Sequence, residues 1–339
     1  MARSCVVLFF LIASSWSMAV NAGLGHKPPI RQLTGYGSVE SYISSQYERF
    51  EIGSSGAGDK TWYYVPDVLK FGEKAPAVIF LHGFSALYPG VYLSHIEHLL
   101  KQGNIVIFPQ FQKSTLLGFF SEAGLFKEMD QLIWAGRAVA SVDQAMVQLT
   151  AIVEPGEVVL YGHSLGGLIS LAWQAQGGYP VKSILLSHPQ VDSSAGMPDF
   201  VKAFVKVKDI PWRDYVGSIN VPVVILSGEE DSIAPVSQSE EIYSLLESAP
   251  SKSFYFAQSD RYGYPRLSPN HGSPLNDIGG LPPHLKIFGV SGELDALDWR
   301  FYFHTLDALL DDHDNNLLFD MGTWSDGEEA KHILECPCL

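Results

Sequence analysis

The sequence predicts an α/β fold with a mostly parallel central sheet and helices on both faces, on three observations. Short, unbroken apolar runs recur, as at Ala77 to Leu81, Ile105 to Phe108 and Pro222 to Leu226. Stretches with helical spacing of apolar residues separate them. Several runs end in loops rich in Gly, Ser, His and Asp, and open parallel sheets carry their functional groups at that end of the strands. The 339 residues are 46% hydrophobic and 17% charged, enough apolar material for a core and too much for a disordered chain.

In chain order, Gly23 to Gln46 reads as a polar surface lead-in. Tyr47 to Ile52 and Lys60 to Val65 alternate apolar with polar around a Gly- and Ser-rich turn, the pattern of a hairpin of edge strands. Ala77 to Leu81 is a buried strand that stops at His82-Gly83-Phe84. Tyr92 to Gln102 is a helix ended by Gly103, and Ile105 to Phe108 is the next strand. Gln110 to Gly124 is an irregular loop whose Leu116, Leu117, Phe119 and Phe120 line an apolar pocket or pack in the core. Lys127 to Ala151 is a long amphipathic helix. A helix over Leu165 to Gln176 closes at Gly177-Gly178, and Val181 to Ser187 is a strand. Val191 to Asn220 is a short insertion, either a small lid or a peripheral helix pair. Strand Pro222 to Leu226, helix Ser237 to Ser248, strand Ser253 to Ala257 and helix Asp295 to Leu310 follow, and 312–339 reads as a solvated acidic tail with a frayed end. A single domain over 23–311 is the expected organisation.

The stretch that carries chemistry is Val158 to Gly167, Val-Val-Leu-Tyr-Gly-His-Ser-Leu-Gly-Gly. A buried strand, a tight turn of the pattern G-x-S-x-G and a helix push the serine into a strained backbone conformation, where only glycine fits on either side. That strain presents the Ser164 hydroxyl at a helix N-terminus, whose dipole favours negative charge. An alcohol is a poor nucleophile at its ordinary pKa, so Ser164 needs a base within hydrogen-bond reach and a carboxylate to fix that base's tautomer. Asp231 follows one later strand and His271 the next, giving the order Ser, acid, His at one end of the sheet. Glu229, Glu230 and Asp192 compete for the acid role. His163, beside the serine, points away from it, while His284, His304 and His313 sit in later loops or the last helix. Attack on a carbonyl creates an oxyanion, and the backbone N–H groups of Leu165 and Phe84 are the candidate donors, Gly83 allowing close approach.

From Ala77 to Pro274 this pattern resembles the α/β-hydrolase superfamily. Gly162 to Gly167 with Asp231-Ser232-Ile233-Ala234-Pro235 and His271 is similar to its dienelactone-hydrolase-like and chlorophyllase-like branch, which includes bacterial cutinase-type polyester hydrolases. The resemblance implies the α/β-hydrolase fold and carboxylic-ester hydrolysis without a cofactor. Ser164 stands where dienelactone hydrolases proper use cysteine. The polyester hydrolases generally lack the His-Gly pair and carry a C-terminal disulfide that Cys336 and Cys338, two residues apart, do not reproduce.

With 22 Lys and Arg against 37 Asp and Glu, a formal charge of −15, the chain lacks the basic character that nucleic acids and anionic lipid surfaces require of a partner. Residues 1–22 combine Arg3, the apolar run Cys5 to Ala13 and the small residues Val20-Asn21-Ala22, which reads as a cleaved secretory signal and predicts a secreted or periplasmic protein. No later stretch is long and apolar enough to cross a bilayer. Asp312-His313-Asp314-Asn315-Asn316 begins like a calcium loop, but Leu317 stands where glycine is needed and no metal site is expected. The expected reaction is acyl transfer from an ester to Ser164 and then to water. An acyltransferase or amide hydrolase on the same residues, and a binding protein of the same fold without catalysis, are the rival readings.

Overall fold

A computed structural model describes residues 25–113, 128–193, 206–276 and 292–336. The proposed signal at 1–22, most of the Gln110 to Gly124 loop, the centre of the Val191 to Asn220 insertion, His284 and Cys338 lie outside them.

Nine strands form one sheet. They are β1 (Tyr47–Ile52), β2 (Thr61–Pro66), β3 (Ala75–Leu81), β4 (Ile105–Pro109), β6 (Val153–His163), β7 (Ser183–Ser187), β9 (Val223–Gly228), β10 (Lys252–Ala257) and β11 (Leu334–Glu335). Their spatial order is β1-β2-β4-β3-β6-β7-β9-β10-β11. The six strands from β4 to β10 in that order are parallel, and antiparallel pairs close both margins. Of the hairpin, only β1 is an edge strand, because β2 also pairs with β4.

The period of two along each strand divides the core between the two faces. Ala77, Ile79 and Leu81 of β3 face the layer of α2 (Gln131–Leu149) and α3 (Leu165–Ala172). Val78 and Phe80 face α1 (Leu93–Lys101) and the last helix. The layer with α2 also holds α4 (Arg213–Val216) and α5 (Val236–Leu245). The opposite layer ends in a π-helical turn, Asp298–Tyr302, that runs into α6 (Phe303–Leu310). Helices therefore cover both faces, and the buried strands read as continuous apolar runs because neither face meets water.

Outside the main sheet, β5 (Glu128–Asp130) pairs in parallel with β8 (Lys206–Lys208). Asp130 then caps α2, accepting the Leu132 N–H at 3.0 Å. In the described part of the insertion, Ile210, Trp212, Val216 and Ile219 are buried in the core, so that part is anchored to the body. Among the described residues no helix is long and apolar enough to cross a membrane.

One expectation, the surface lead-in, gains detail and another needs correction. The polar lead-in is tied down, with Gly37 N–H on Asp307 Oδ2 at 2.7 Å and Arg31 Nη2 2.7 Å from His98 Nδ1. The tail is exposed at most positions over 313–336 but is anchored rather than frayed there: Met321, Trp324 and Ala330 are buried, and Leu334–Glu335 pairs with β10. The acidic residues suggested solvent, but these three apolar side chains decide the packing.

Candidate active site

The turn between β6 and α3 holds Ser164 at φ 55° and ψ −118°, a conformation that costs on the order of 1–3 kcal/mol for a residue with a side chain. Its neighbours explain the glycines. A Cβ on Gly166 would lie 2.2 Å from the Leu81 carbonyl oxygen, and one on Gly162 would lie 2.4 Å from Ser170 Oγ. The turn is locked to the next strand, with Ser164 N–H donating to Ser187 O at 3.0 Å.

Asp231 leaves β9 and folds back on itself, so that its Oδ1 accepts N–H from Ile233 at 2.9 Å and Ala234 at 2.8 Å. His271 arrives from the long loop after β10. Its Nδ1–H donates to Asp231 Oδ2 at 2.9 Å, and its Nε2 lies 2.7 Å from Ser164 Oγ. Because the carboxylate can only accept, Nδ1 carries the proton and Nε2 presents a lone pair to the Ser164 hydroxyl. Burial alone would push the Asp231 carboxyl up. The adjacent His271 and the imidazole N–H donors outweigh it and hold the group well below the usual carboxylate range. All three residues are buried, Ser164 with only 2% of its surface exposed.

A second set of hydrogen bonds ties the loop after β3 to this chain. Gly83 N–H donates to Tyr92 Oη at 2.9 Å, and Tyr92 O–H in turn donates to His163 Nδ1 at 2.8 Å. His163 Nε2–H then donates to the His271 carbonyl at 2.9 Å. Burial, with the nearby His271 and His188, pushes His163 well below the usual histidine range, so it is neutral, as this pattern of one donor and one acceptor requires. A Cβ on Gly83 would come within 3.3 Å of Ser164 Cβ, so Gly83, next to Phe84, passes directly over the serine. Leu165 opens α3, where backbone N–H groups have no helical carbonyl to reach. His82 lies flat on Phe111, ring centroids 3.9 Å apart, and burial lowers it to about 4, so its place is structural.

No family model matches the sequence, and no curated protein matches it. Solved structures do. An acylaminoacyl peptidase from Pyrococcus horikoshii is 17% identical with a TM-score of 0.50, over 76% of this chain and 43% of that one. Esterase B from Lactobacillus rhamnosis is 15% identical (TM-score 0.47, 64% of this chain and 76% of that one). A thermostable carboxyl esterase from Bacillus coagulans is 11% identical (TM-score 0.45, 63% and 91%). The chain has the α/β-hydrolase fold. It spans less than half the length of the peptidase, and at these identities the likeness is one of architecture.

Within the hydrolase fold the competing acids have other partners. Glu229 Oε2 accepts the Ser259 N–H at 2.7 Å, and Glu230 pairs with Arg261 and Arg266, both at 3.2 Å. Asp192 is exposed. His304 packs against Tyr36 and Phe319, and His313 lies 3.0 Å from Tyr36 Oη. The calcium-like stretch is likewise occupied by protein groups: Asp312 pairs with Lys182, and Asp314 accepts the Ser251 hydroxyl.

Sequence reasoning missed His188 and Tyr302. His188 Nδ1 is 2.7 Å from Asp231 Oδ2 and its Nε2 is 2.8 Å from Tyr302 Oη. The available signal was a histidine just past the end of β7, where functional groups of such sheets collect. His188, Asp231 and His271 offer three ligand-type atoms close together. Nitrogen-to-oxygen separations of 2.7 and 2.9 Å are hydrogen-bond contacts. Donor atoms around a tetrahedral ion with bonds of about 2.0–2.1 Å stand about 3.3 Å apart, so the spacing of the trio is that of hydrogen bonds and not of a tetrahedral zinc site.

Proposed function

We propose that the chain is an exported serine hydrolase that cleaves carboxylic esters through an acyl-enzyme. The observation that carries this reading is the unbroken line from Ser164 Oγ through His271 to Asp231, at 2.7 and 2.9 Å, on a strained turn. Export rests on residues 1–22 alone.

Ser164 Oγ attacks the ester carbonyl carbon while its proton passes to His271 Nε2. Asp231 keeps the imidazole oriented and offsets the positive charge that forms. The negative charge on the carbonyl oxygen is assigned to the N–H groups of Leu165 and Phe84, since backbone donors fixed in advance cost no reorganisation. The bond to the leaving alcohol then breaks, and His271 returns the proton to the alkoxide. Water, deprotonated by the same nitrogen, attacks the acyl-serine carbonyl, the bond to Ser164 Oγ breaks to release the acid, and His271 returns the proton to that oxygen. Every proton has a stated donor and acceptor among these residues, and none of the steps calls on a cofactor.

The test is a panel of nitrophenyl esters of graded chain length, run beside peptide and polyester substrates, with methanol or an amine as added acceptor. The expected result is release of nitrophenol with water as the main acceptor, reduced about 10⁴-fold or more in Ser164→Ala. A Ser164→Ala protein that hydrolyses these esters at the parent rate refutes the assignment. Acyl transfer mainly to the added alcohol or amine, or turnover of amides alone, replaces it with one of the rival chemistries.

A further inference from the structure

We propose that His188, with Tyr302 behind it, is a positioning residue that holds the Asp231 carboxylate in register for the reaction above. The inference rests on the Ser164–His271 reading and extends it by a second imidazole on the same carboxylate.

His188 is fully buried and stands immediately after β7 at φ +48°, a left-handed conformation that a side chain adopts only where its surroundings fix it. Its N–H donates to Leu226 O at 2.8 Å, and the preceding residue's carbonyl receives the Ser164 N–H. The residue is therefore built into the same junction of β6, β7 and β9 that carries the serine and the acid.

Its ring is committed at both nitrogens. Nδ1–H donates to Asp231 Oδ2 and Nε2 accepts the Tyr302 hydroxyl proton. Asp231 consequently receives four N–H donors, two backbone groups on Oδ1 and two imidazoles on Oδ2. An ionised carboxylate has about four lone-pair positions, so each is used. The rings of His188 and His271 lie 82° apart in plane, with centroids at 6.1 Å. The two N–H groups thus come from differently oriented rings, and turning the carboxylate away from His271 would also break its bond to His188.

Asp231, which can only accept, fixes the imidazole proton on Nδ1, and the Tyr302 hydroxyl donates to the Nε2 that this leaves unprotonated. Without that hydroxyl the buried Nε2 lone pair has no donor and the ring loses one of the two bonds that hold it against the carboxylate. Burial pushes both groups toward their neutral forms, His188 down and Tyr302 up, in keeping with this arrangement. Tyr302 ends a π-helical turn, a local irregularity frequent at functional sites.

A histidine that merely fills space would be replaceable by an apolar side chain without effect on turnover. A positioning residue touches no substrate, so its loss appears in kcat and leaves KM in place. The experiment measures kcat and KM on a short-chain nitrophenyl ester for the full chain and for His188→Leu, His188→Asn and Tyr302→Phe, each checked for folding by circular dichroism. His188→Leu is expected to lower kcat by roughly 10- to 100-fold with KM within about twofold. His188→Asn, whose amide supplies an N–H near the position of Nδ1, is expected to recover kcat to within about fivefold of the parent, and Tyr302→Phe to lower it by about two- to tenfold. Parent kcat in His188→Leu, a loss confined to KM, or His188→Asn no faster than His188→Leu overturns the proposal. Should His188→Leu not fold, Tyr302→Phe, which deletes one oxygen, decides: parent kcat there overturns it. A parent that hydrolyses no ester is a failure of the ester reading, recognised before any variant is made. The bond itself is then read by proton NMR, where a low-field imidazole N–H resonance lost in His188→Leu is expected and its absence from the parent overturns the proposal.

Discussion

Ser164 and His271 meet at 2.7 Å, yet the chain delivers them by opposite means. The serine arm is local. Strand β6, the turn and α3 are contiguous, and the position of Oγ follows from two glycines and a strained φ within a few residues. The imidazole arm is assembled from distant segments. Its loop starts after Ala257 and is pinned at Asp260, which exchanges two backbone hydrogen bonds with Leu267 at 2.9 Å. Asp260 Oδ2 also accepts Trp324 Nε1–H and Lys331 N–H, both at 3.0 Å, from the C-terminal segment. Beyond His271, Asn276 accepts the Ser94 N–H at 3.0 Å and so fastens the loop to the start of α1. One arm is set by backbone sterics, the other by a network of polar contacts, and this difference sorts the consequences of damage.

The largest effect is expected from the serine arm. Gly166→Ala puts a Cβ 2.2 Å from the Leu81 carbonyl oxygen, backbone against backbone, so the turn and the strand before the Phe84 loop must separate. Activity should fall by about 100-fold or more, since displacements near 1 Å at reacting groups have that cost. Ester turnover with a melting curve checks this, and parent activity in a folded Gly166→Ala would mean that the packing around Ser164 yields easily.

A smaller effect is expected in the imidazole arm. Trp324→Phe keeps most of the buried ring but removes the N–H that Asp260 accepts, while Lys331 N–H remains. Leaving part of a buried acceptor's bonding unmet costs about 1–3 kcal/mol, and kcat should drop by roughly three- to tenfold. An unchanged kcat would show that the C-terminal segment does not steady His271.

The smallest effect concerns pH and the turn beneath Tyr302. Asp298 is fully buried, and burial together with the Asp295 charge raises its carboxyl well above the usual range. Burial, joined by the Glu293 charge, raises Asp295 to about 7. Raised folded-state values mean that the native state binds more protons than the unfolded chain. The stability from these groups is whole below the ordinary carboxyl value of about 4, and the share of Asp295 is lost as pH rises through about 7, that of Asp298 as pH rises through its own raised value. Asp298→Asn retains an oxygen for the Asp295 N–H, which Asp298 Oδ2 accepts at 2.8 Å, but has no carboxyl proton to lose. The fall in melting temperature between pH 5 and pH 8 should shrink by roughly 2–4 °C. An equal fall in both proteins would contradict the assignment of that pH dependence to the pair.

The same contrast explains what could be read from the sequence. The parallel sheet and the turn at Ser164 announce themselves through apolar runs and glycine spacing, since both arise from short-range sterics. Asp231 and His271 were legible as strand-end residues in the right order. His188 was not, because its meaning depends on partners 43 and 114 residues away. The role of the C-terminal segment was hidden for the same reason: its acidity suggested solvent, while Trp324 and Leu334–Glu335 act by packing and pairing with distant residues.

The most direct test of the site is the rate at which a fluorophosphonate labels the protein, with the modified residue located by mass spectrometry. The account predicts rapid labelling at Ser164 in the parent and labelling slower by about 10³-fold or more in His271→Ala, where the hydroxyl has lost its base. Equal rates in the two proteins, or a label on any other residue, would contradict it.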